Sequence, residues 1–210
     1  MTTTHADATP AGIPAMPGFD DPVLDSAESF RAILQAMARP GTPQALPLLP
    51  PAPAPLTAEA AAVLLTLLDF ETPLWLAAET TVRDHLRFHT GVAMADAPQA
   101  ASFALAPIAA AAELMPRLAM GVPDYPDRSA TLVLLVDGFE GGLPATLSGP
   151  GLAAPRPFAP AGADAAFWEA ARANAARFPL GVDLLFAGGG HVAGLPRSTR
   201  IAAAIEPEEG

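Results

Sequence analysis

The sequence predicts an α/β protein, a three-layer sandwich with a mixed sheet. Apolar segments that suit buried strands alternate with helical segments at first, and strands pair locally near the C-terminus. With 210 residues, of which 51% are hydrophobic and 16% charged, the chain can bury a sizeable core and is too apolar for disorder. We therefore expect a flexible tail over residues 1–18, rich in threonine, alanine and proline, and a single α/β domain over residues 19–206.

The first half of the chain combines predicted helices with short strands. Asp25 and Glu28 have the spacing of a capping box, so the first helix is expected to begin at Asp25 and to stop at Pro40-Gly41. Its apolar stripe comprises Phe30, Ile33, Leu34 and Met37. The further predicted elements are a strand at 42–46, an extended surface connector at 47–55, a helix from Thr57 to Leu68, a strand at 73–77 and a helix at 81–90 that Gly91 ends.

The second half contains the clearest central strand, residues 130–136, which are apolar throughout apart from Thr131. Further strands are predicted at 102–105 and 145–147, and helices at 108–120, bent at Pro116, and at 164–177. Residues 182–187 and 192–195 are expected to form a hairpin around Gly188-Gly189-Gly190, continued by a strand at 201–205.

The composition excludes several kinds of chemistry. All 11 basic residues are arginines, so the chain cannot form the lysine Schiff base of pyridoxal-phosphate or aldolase-type enzymes. It has no cysteine, which excludes thiolate nucleophiles and cysteine-bound iron–sulfur clusters. A net charge of −11 argues against general binding to nucleic acid or an anionic membrane. No segment has the pattern of a signal peptide or a membrane-spanning helix, so we expect a cytoplasmic protein.

The glycine-rich segments and the histidines provide no specific motif. Ser148-Gly149-Pro150-Gly151 is expected to be a tight turn, because a phosphate loop of the Walker type needs a lysine. His85 and His89 can share one helix face, as two metal ligands would, but no third ligand accompanies them and a surface or packing role is favoured. Residues 124–128 could form a polar site, although an exposed loop held by carboxylate–arginine pairs is favoured.

The most distinctive polar residues lie near the C-terminus. Asp183 is expected at the start of a strand, and Arg197 and Thr199 lie in a segment where two arginines flank hydroxyl groups. Such a set suits a phosphate or a carboxylate, because a guanidinium group can donate two parallel hydrogen bonds. The alternative, an arginine paired with Asp183 or with a neighbouring subunit, is favoured because ion pairs are commoner than ligand sites. Arg87 and His89 are further candidate ligand-binding residues.

Several segments, in order along nearly all of the chain after about residue 20, resemble the PhnH family of the bacterial carbon–phosphorus lyase system for phosphonate use. They are Ser29–Gly41, Leu64–Asp69, Thr72–Leu76, Leu86–Thr90, Ala130–Leu134, Leu147–Gly151, Phe178–Leu184 and Pro196–Thr199. The resemblance implies a fold similar to the large domain of pyridoxal-phosphate-dependent transferases, without the cofactor. It also implies a homodimer that assembles with sister subunits into a core complex.

In the pathway of this family, the complex helps to transfer the ribosyl triphosphate of ATP onto a phosphonate, displacing adenine. The radical iron–sulfur chemistry belongs to another subunit, and the resemblance assigns no catalytic residue. We therefore expect a structural or accessory subunit that binds neither pyridoxal phosphate nor an iron–sulfur cluster, with ATP as a substrate of the complex. The alternatives are an independent enzyme that uses Asp183, Arg197 and Thr199 on a phosphorylated substrate, and a phosphonate-binding module.

Overall fold

A computed structural model of the chain describes residues 16–77 and 80–203. The α-helices within these ranges are α1 Pro22–Ala38, α2 Ala58–Leu67, α3 Thr80–Thr90, α4 Ala111–Leu114 and α5 Ala165–Ala175. The strands are β1 Gln44–Ala45, β2 Leu74–Leu76, β3 Phe103–Pro107, β4 Met120–Val122, β5 Tyr125–Ser129, β6 Thr131–Leu135, β7 Ala145–Ser148, β8 Arg156–Phe158, β9 Asp183–Gly188, β10 His191–Leu195 and β11 Arg200–Ala203.

The central sheet is mixed, as predicted, and has the strand order β1-β10-β9-β6-β3-β2. Strands β2, β3, β6 and β9 are parallel, β10 is antiparallel to β9, and β1 is antiparallel to β10. Val133 of β6 lies between Leu105 of β3 and Leu185 of β9. Residues 132–134 are fully buried, as expected for a central strand that is covered on both faces.

Successive residues of the central strands enter two different cores. Leu132 and Leu134 pack into one core with Trp168 of α5, whereas Val133 belongs to the other core with Val63 of α2. Helices α4 and α5 and the small sheet β11-β7-β8 contribute to the first core, and α1, α2 and α3 contribute to the second. These two packed faces confirm the α/β class.

The C-terminal hairpin is confirmed, but its predicted extension is wrong. His191 pairs with Gly188, which leaves Gly189-Gly190 as a two-residue loop. Both loop glycines have positive φ angles, 57° and 76°, which is the geometry of a type I′ turn. Strand β11 leaves the hairpin and pairs with β7, where Ile201 lies opposite Leu147. Residues 204 and 205 of the predicted strand lie outside the described residues.

The N-cap of α1 is Asp21, not Asp25. The Asp21 carboxylate accepts hydrogen bonds from the backbone N–H groups of Val23 and Leu24, each at 3.1 Å. The Asp25 carboxylate accepts from the Asp21 N–H at 2.9 Å. The reciprocal capping therefore joins Asp21 and Asp25. Pro22, which has no backbone N–H, occupies the first helical position, where an N–H would have no partner in the helix.

The predicted helix over 108–120 is divided into short pieces. Only α4 is α-helical there, between 3₁₀ turns at Ile108–Ala110 and Met115–Arg117, and Met120 already belongs to β4. The loop predicted at 124–128 belongs to a β4–β5 hairpin instead. In this hairpin the Arg128 guanidinium lies 4.0 Å from the ring centroid of Tyr125, so a cation–π contact holds it where a carboxylate pair was predicted.

The proline-rich connector over 47–55 lacks helix and strand, as predicted, but it is only partly at the surface. Pro50 and Pro53 are buried, and Leu46 and Leu56 at the two ends of the connector join the core beneath α2. None of the helices in the described part of the chain has the length and hydropathy needed to cross a bilayer. The division into a tail over 1–18 and one domain over 19–206 stays a prediction.

Candidate functional site

A cleft of about 450 Å³ lies beside the end of the sheet where β9 begins. The C-terminal end of α5, the loop that follows it and the segment joining β10 to β11 form its walls. Its polar and aromatic lining consists of Arg172, Phe178, Arg197, Ser198, Thr199 and Arg200. None of the lining residues is acidic. We call this feature the arginine cleft.

Asn174 fixes one wall of the arginine cleft by joining the end of α5 to the start of β9. Its buried side chain accepts a hydrogen bond from the Val182 N–H at 2.8 Å and donates one to the Val182 carbonyl at 2.9 Å. Gly181 has a φ angle of 113°, and a Cβ atom at this position would lie 2.8 Å from Oδ1 of Asn174. This close approach therefore requires glycine. Arg172, two residues before Asn174, is held beside the cleft as a result.

The Asp183 carboxylate contacts the backbone of Arg197 and not the guanidinium group of Arg197. Oδ1 of Asp183 accepts a hydrogen bond from the Arg197 N–H at 2.8 Å. Nη1 of Arg197 donates to the Gly181 carbonyl at 3.0 Å and also to the Ser129 hydroxyl. Asp183 thus shapes the turn after β10, while Ser129 and Gly181 fix the direction of the Arg197 side chain.

Thr199 and its neighbours occupy the turn before β11. The Thr199 N–H donates to the Pro196 carbonyl at 2.9 Å, which closes the turn. Thr199 is only 1% exposed, and its Oγ1 has no hydrogen-bond partner among the described residues. Ser198 is half-buried and Arg200 is exposed, so these two side chains, unlike the Thr199 hydroxyl, are open to the cleft.

The arginine cleft brings together the predicted residues Arg197 and Thr199, with Asp183 behind them. Arg172 and Phe178 join them from α5 and the following loop, and neither was singled out from the sequence as a site residue. An arginine on the exposed face of the last turn of a helix is common, because it interacts favourably with the negative end of the helix dipole. Local sequence therefore contains no signal that would have separated Arg172 from other surface arginines.

Arg87 and His89 lie elsewhere, on the exposed side of α3, and neither lines the arginine cleft. Nε2 of His89 is 2.9 Å from the Met16 carbonyl oxygen, and its ring centroid is 4.7 Å from that of His85. His85 is buried, and this burial, with a further contribution from His89, lowers its pKa below the usual 6.5. The described residues contain no group of three or more side chains that could hold a metal ion.

A second, more open cleft lies at the opposite end of the β9–β10 hairpin. We call it the acidic cleft, because Asp137 and Glu140 line it together with Phe139 and His191. Nδ1 of His191 is 2.7 Å from the carbonyl oxygen of Gly189, in the hairpin turn. The carboxyl ends of parallel strands are the usual position of ligand sites in open α/β sheets. The lining contains no arginine, so this cleft is better suited to a cation than to a phosphate.

Helix α1 carries an apolar stripe that faces solvent. Val23, Phe30 and Leu34 are 76%, 48% and 54% exposed, and their spacing of seven and four residues places them on one side of the helix. The buried side is formed by Ser29, Ile33 and Ala36. The stripe predicted from the sequence is therefore divided, with Ile33 in the core and Phe30 and Leu34 outside it.

The fold and the clefts define a class: a layered α/β protein without lysine or cysteine, with an arginine-lined cleft at one end of its sheet and an exposed apolar helix face. The family model of the bacterial phosphonate metabolism protein PhnH matches residues 17–202, so the chain belongs to the PhnH family. This match confirms the resemblance found in the sequence.

Two curated proteins are similar over most of their length. The α-D-ribose 1-methylphosphonate 5-triphosphate synthase subunit PhnH of Rhizobium meliloti (strain 1021) is 37% identical over 186 residues, which cover 87% of this chain and 93% of that protein. The putative C-P lyase subunit protein HtxG of Stutzerimonas stutzeri is 35% identical over 173 residues, which cover 82% of this chain and 84% of that protein.

Proposed function

We propose that the chain is an accessory subunit of an α-D-ribose 1-methylphosphonate 5-triphosphate synthase complex in a carbon–phosphorus lyase system. The observation that carries this proposal is the 37% identity to a subunit of that name over 87% of this chain and 93% of the relative. In such a complex, the ribosyl triphosphate of ATP is transferred to methylphosphonate and adenine is displaced. ATP is then a substrate of the complex and not a resident cofactor of this chain.

The positions of the candidate residues support an accessory role over independent catalysis. The Asp183 carboxylate is engaged with a backbone N–H, and the Thr199 hydroxyl is buried. These two residues therefore offer a substrate no ready acid–base pair. The apolar stripe on α1 also supports assembly, because a sister subunit can cover Val23, Phe30 and Leu34 and remove them from water.

We further propose that the chain is a cytoplasmic homodimer whose fold is related to the large domain of pyridoxal-phosphate-dependent transferases. The four parallel strands of the central sheet are compatible with this relation. Without lysine or cysteine, the chain would hold neither pyridoxal phosphate as a Schiff base nor an iron–sulfur cluster on thiolates. The net charge of −11 supports protein partners over nucleic acid or membrane.

Reconstitution tests the proposed function. The purified chain, mixed with ATP and methylphosphonate, is expected to release no adenine and to form no new phosphonate ester in the ³¹P NMR spectrum. The complete set of co-expressed sister subunits should form the product, and the same set without this chain should not. Turnover by the chain alone would overturn the accessory role, and full activity of the set without it would overturn membership of the complex.

A further inference from the structure

Three of the 11 basic residues of this chain line one cleft. Arg172 comes from α5, whereas Arg197 and Arg200 come from the segment that leads from β10 into β11, and no acidic residue accompanies them in the lining. Positive charges gathered in this way repel one another unless an anion lies between them. The net charge of the chain is −11, so a cleft lined by three arginines and no carboxylate departs from the acidic average of the chain.

The end of α5 works against anion binding, but its effect is small beside that of the arginines. The C-terminus of a helix carries the equivalent of roughly −0.5 elementary charge. Arg172 lies in the last turn of α5, and the same cleft is lined by Arg197 in the turn before β11 and by Arg200 at the start of β11. Three guanidinium groups outweigh this partial charge and the Asp183 carboxylate behind Arg197, so the cleft is positive overall.

The arginine cleft combines one fixed donor with two adaptable ones. The contacts of Nη1 with Gly181 and Ser129 hold Arg197 in place, whereas Arg172 and Arg200 are exposed and can turn towards a ligand. Phe178 at the rim is 60% exposed, so its ring can contact an apolar part of the ligand. A volume of about 450 Å³ lies within the usual range for sites that bind small molecules.

We propose that the arginine cleft binds a small molecule that bears an oligophosphate chain. A guanidinium group binds phosphate oxygens through two parallel hydrogen bonds, and three such groups spread from α5 to β11 need more than one anionic group to engage them. Ser198, half-buried between Arg197 and Arg200, adds a hydroxyl donor. The site belongs to the isolated chain and does not require its membership of a synthase complex.

Calorimetry on the full-length chain at constant ionic strength tests this inference. Tripolyphosphate, pyrophosphate and inorganic phosphate are the probes, and affinity is expected to fall in that order. The variants Arg172→Gln and Arg200→Gln should each weaken tripolyphosphate binding by about ten- to a hundredfold, the range expected for a charge-assisted hydrogen bond. Arg197 is left unchanged in this series, because its contacts with Gly181 and Ser129 also support the fold.

Arg177→Gln is the matched control. Arg177 lies just beyond the same end of α5 and is exposed like Arg172, but it lines a different cleft. It should change the affinity by less than about threefold, since it removes charge without removing a contact. An equal loss in Arg177→Gln would assign the binding to overall charge and overturn the proposal.

Two further results would also overturn the proposal. One is the absence of heat with all three phosphates, and the other is tighter binding of a hexaglutamate peptide, which would identify an acidic protein segment as the ligand. The outcome is independent of reconstitution: tripolyphosphate binding by a chain that the synthase does not need would overturn the proposed function and leave the arginine cleft in place.

Discussion

The two ends of the β9–β10 hairpin differ in charge. Arg172, Arg197 and Arg200 line the cleft at the end where β9 begins, and Asp137, Glu140 and His191 line the cleft at the end where the hairpin turns. Ligand sites of open α/β sheets usually lie at the second end, at the carboxyl ends of the parallel strands. In this chain the groups that suit an anion lie at the first end. The chemistry of the side chains, and not their position on the sheet alone, thus decides what each end can bind.

The largest effect is expected from Asn174→Ala, because this substitution weakens the structure at the arginine cleft and not at the acidic cleft. The substitution leaves the buried N–H and carbonyl of Val182 without partners, so the free energy of unfolding should fall by about 2–4 kcal/mol. Urea denaturation measures this change, and calorimetry should show weaker tripolyphosphate binding. Gln35→Ala on the exposed side of α1 is the control and should stay within about 0.5 kcal/mol of the wild type. A fall in the free energy of unfolding of less than about 0.5 kcal/mol in Asn174→Ala would contradict the structural role of the Asn174 side chain.

The second-largest effect is expected from Leu34→Asp, which alters the surface of α1 and leaves the arginine cleft unchanged. Leu34→Asp places a charge in the exposed apolar stripe, so association with sister subunits should weaken at least about tenfold, the loss of one apolar contact in an interface. Size-exclusion chromatography of the co-expressed subunits measures it, and tripolyphosphate binding should be unchanged. Leu143→Asp, at a similarly exposed leucine outside α1, is the matched control. Intact assembly of the Leu34→Asp variant would exclude this stripe as a contact surface.

The dependence of stability on pH should be determined by His85 in α3 and not by the residues at either end of the sheet. The pKa of His85 is lowered by burial and by His89, so the unfolded chain takes up its proton at a higher pH than the folded chain. The contribution of His85 to stability should therefore be complete above about pH 6.5, the unfolded value, and should be lost as the pH falls below it towards the folded pKa. Thermal unfolding between pH 7.5 and 5 measures the loss. The loss of stability should be smaller in His85→Leu and should persist in His191→Gln. An unchanged pH profile in His85→Leu would assign the loss to other groups.

The smallest effect is expected from Thr199→Val. The Thr199 hydroxyl is buried without a partner among the described residues, and valine has nearly the same shape. Stability in urea should therefore rise, by up to about 1 kcal/mol, because an unsatisfied polar group is removed. Tripolyphosphate affinity should not change. A marked loss of affinity would show instead that the hydroxyl turns into the arginine cleft when a ligand is present.

The elements that sequence predicted well are those with local signals. The Thr57 cap of α2, the glycine after α3 and the Gly189-Gly190 turn each act within a few residues, so a short window of sequence specifies them. Asp21 and Asp25 show the limit of such signals. Both residue types are good caps, and only the hydrogen bonds of the fold distinguish between them.

Non-local pairing was beyond the reach of the sequence pattern. Strand β8 was missed because it is short and has a proline at its centre, and β11 was assigned to the hairpin because its partner β7 lies more than fifty residues earlier. The arginine cleft also depends on contacts between residues that are far apart in the sequence. Arg197 and Thr199 were identified from their shared segment, but Arg172 and Phe178 reach them only through the docking of α5.

The pairing of β11 with β7 has a consequence for how the chain is assembled. All six strands of the central sheet lie before residue 196, so β11 adds no strand to that sheet. Arg200 belongs to that last strand, and Arg197 and Ser198 immediately precede it. The central sheet can therefore be complete while a place for a polyanion is still lacking, and docking of β11 on β7 supplies it.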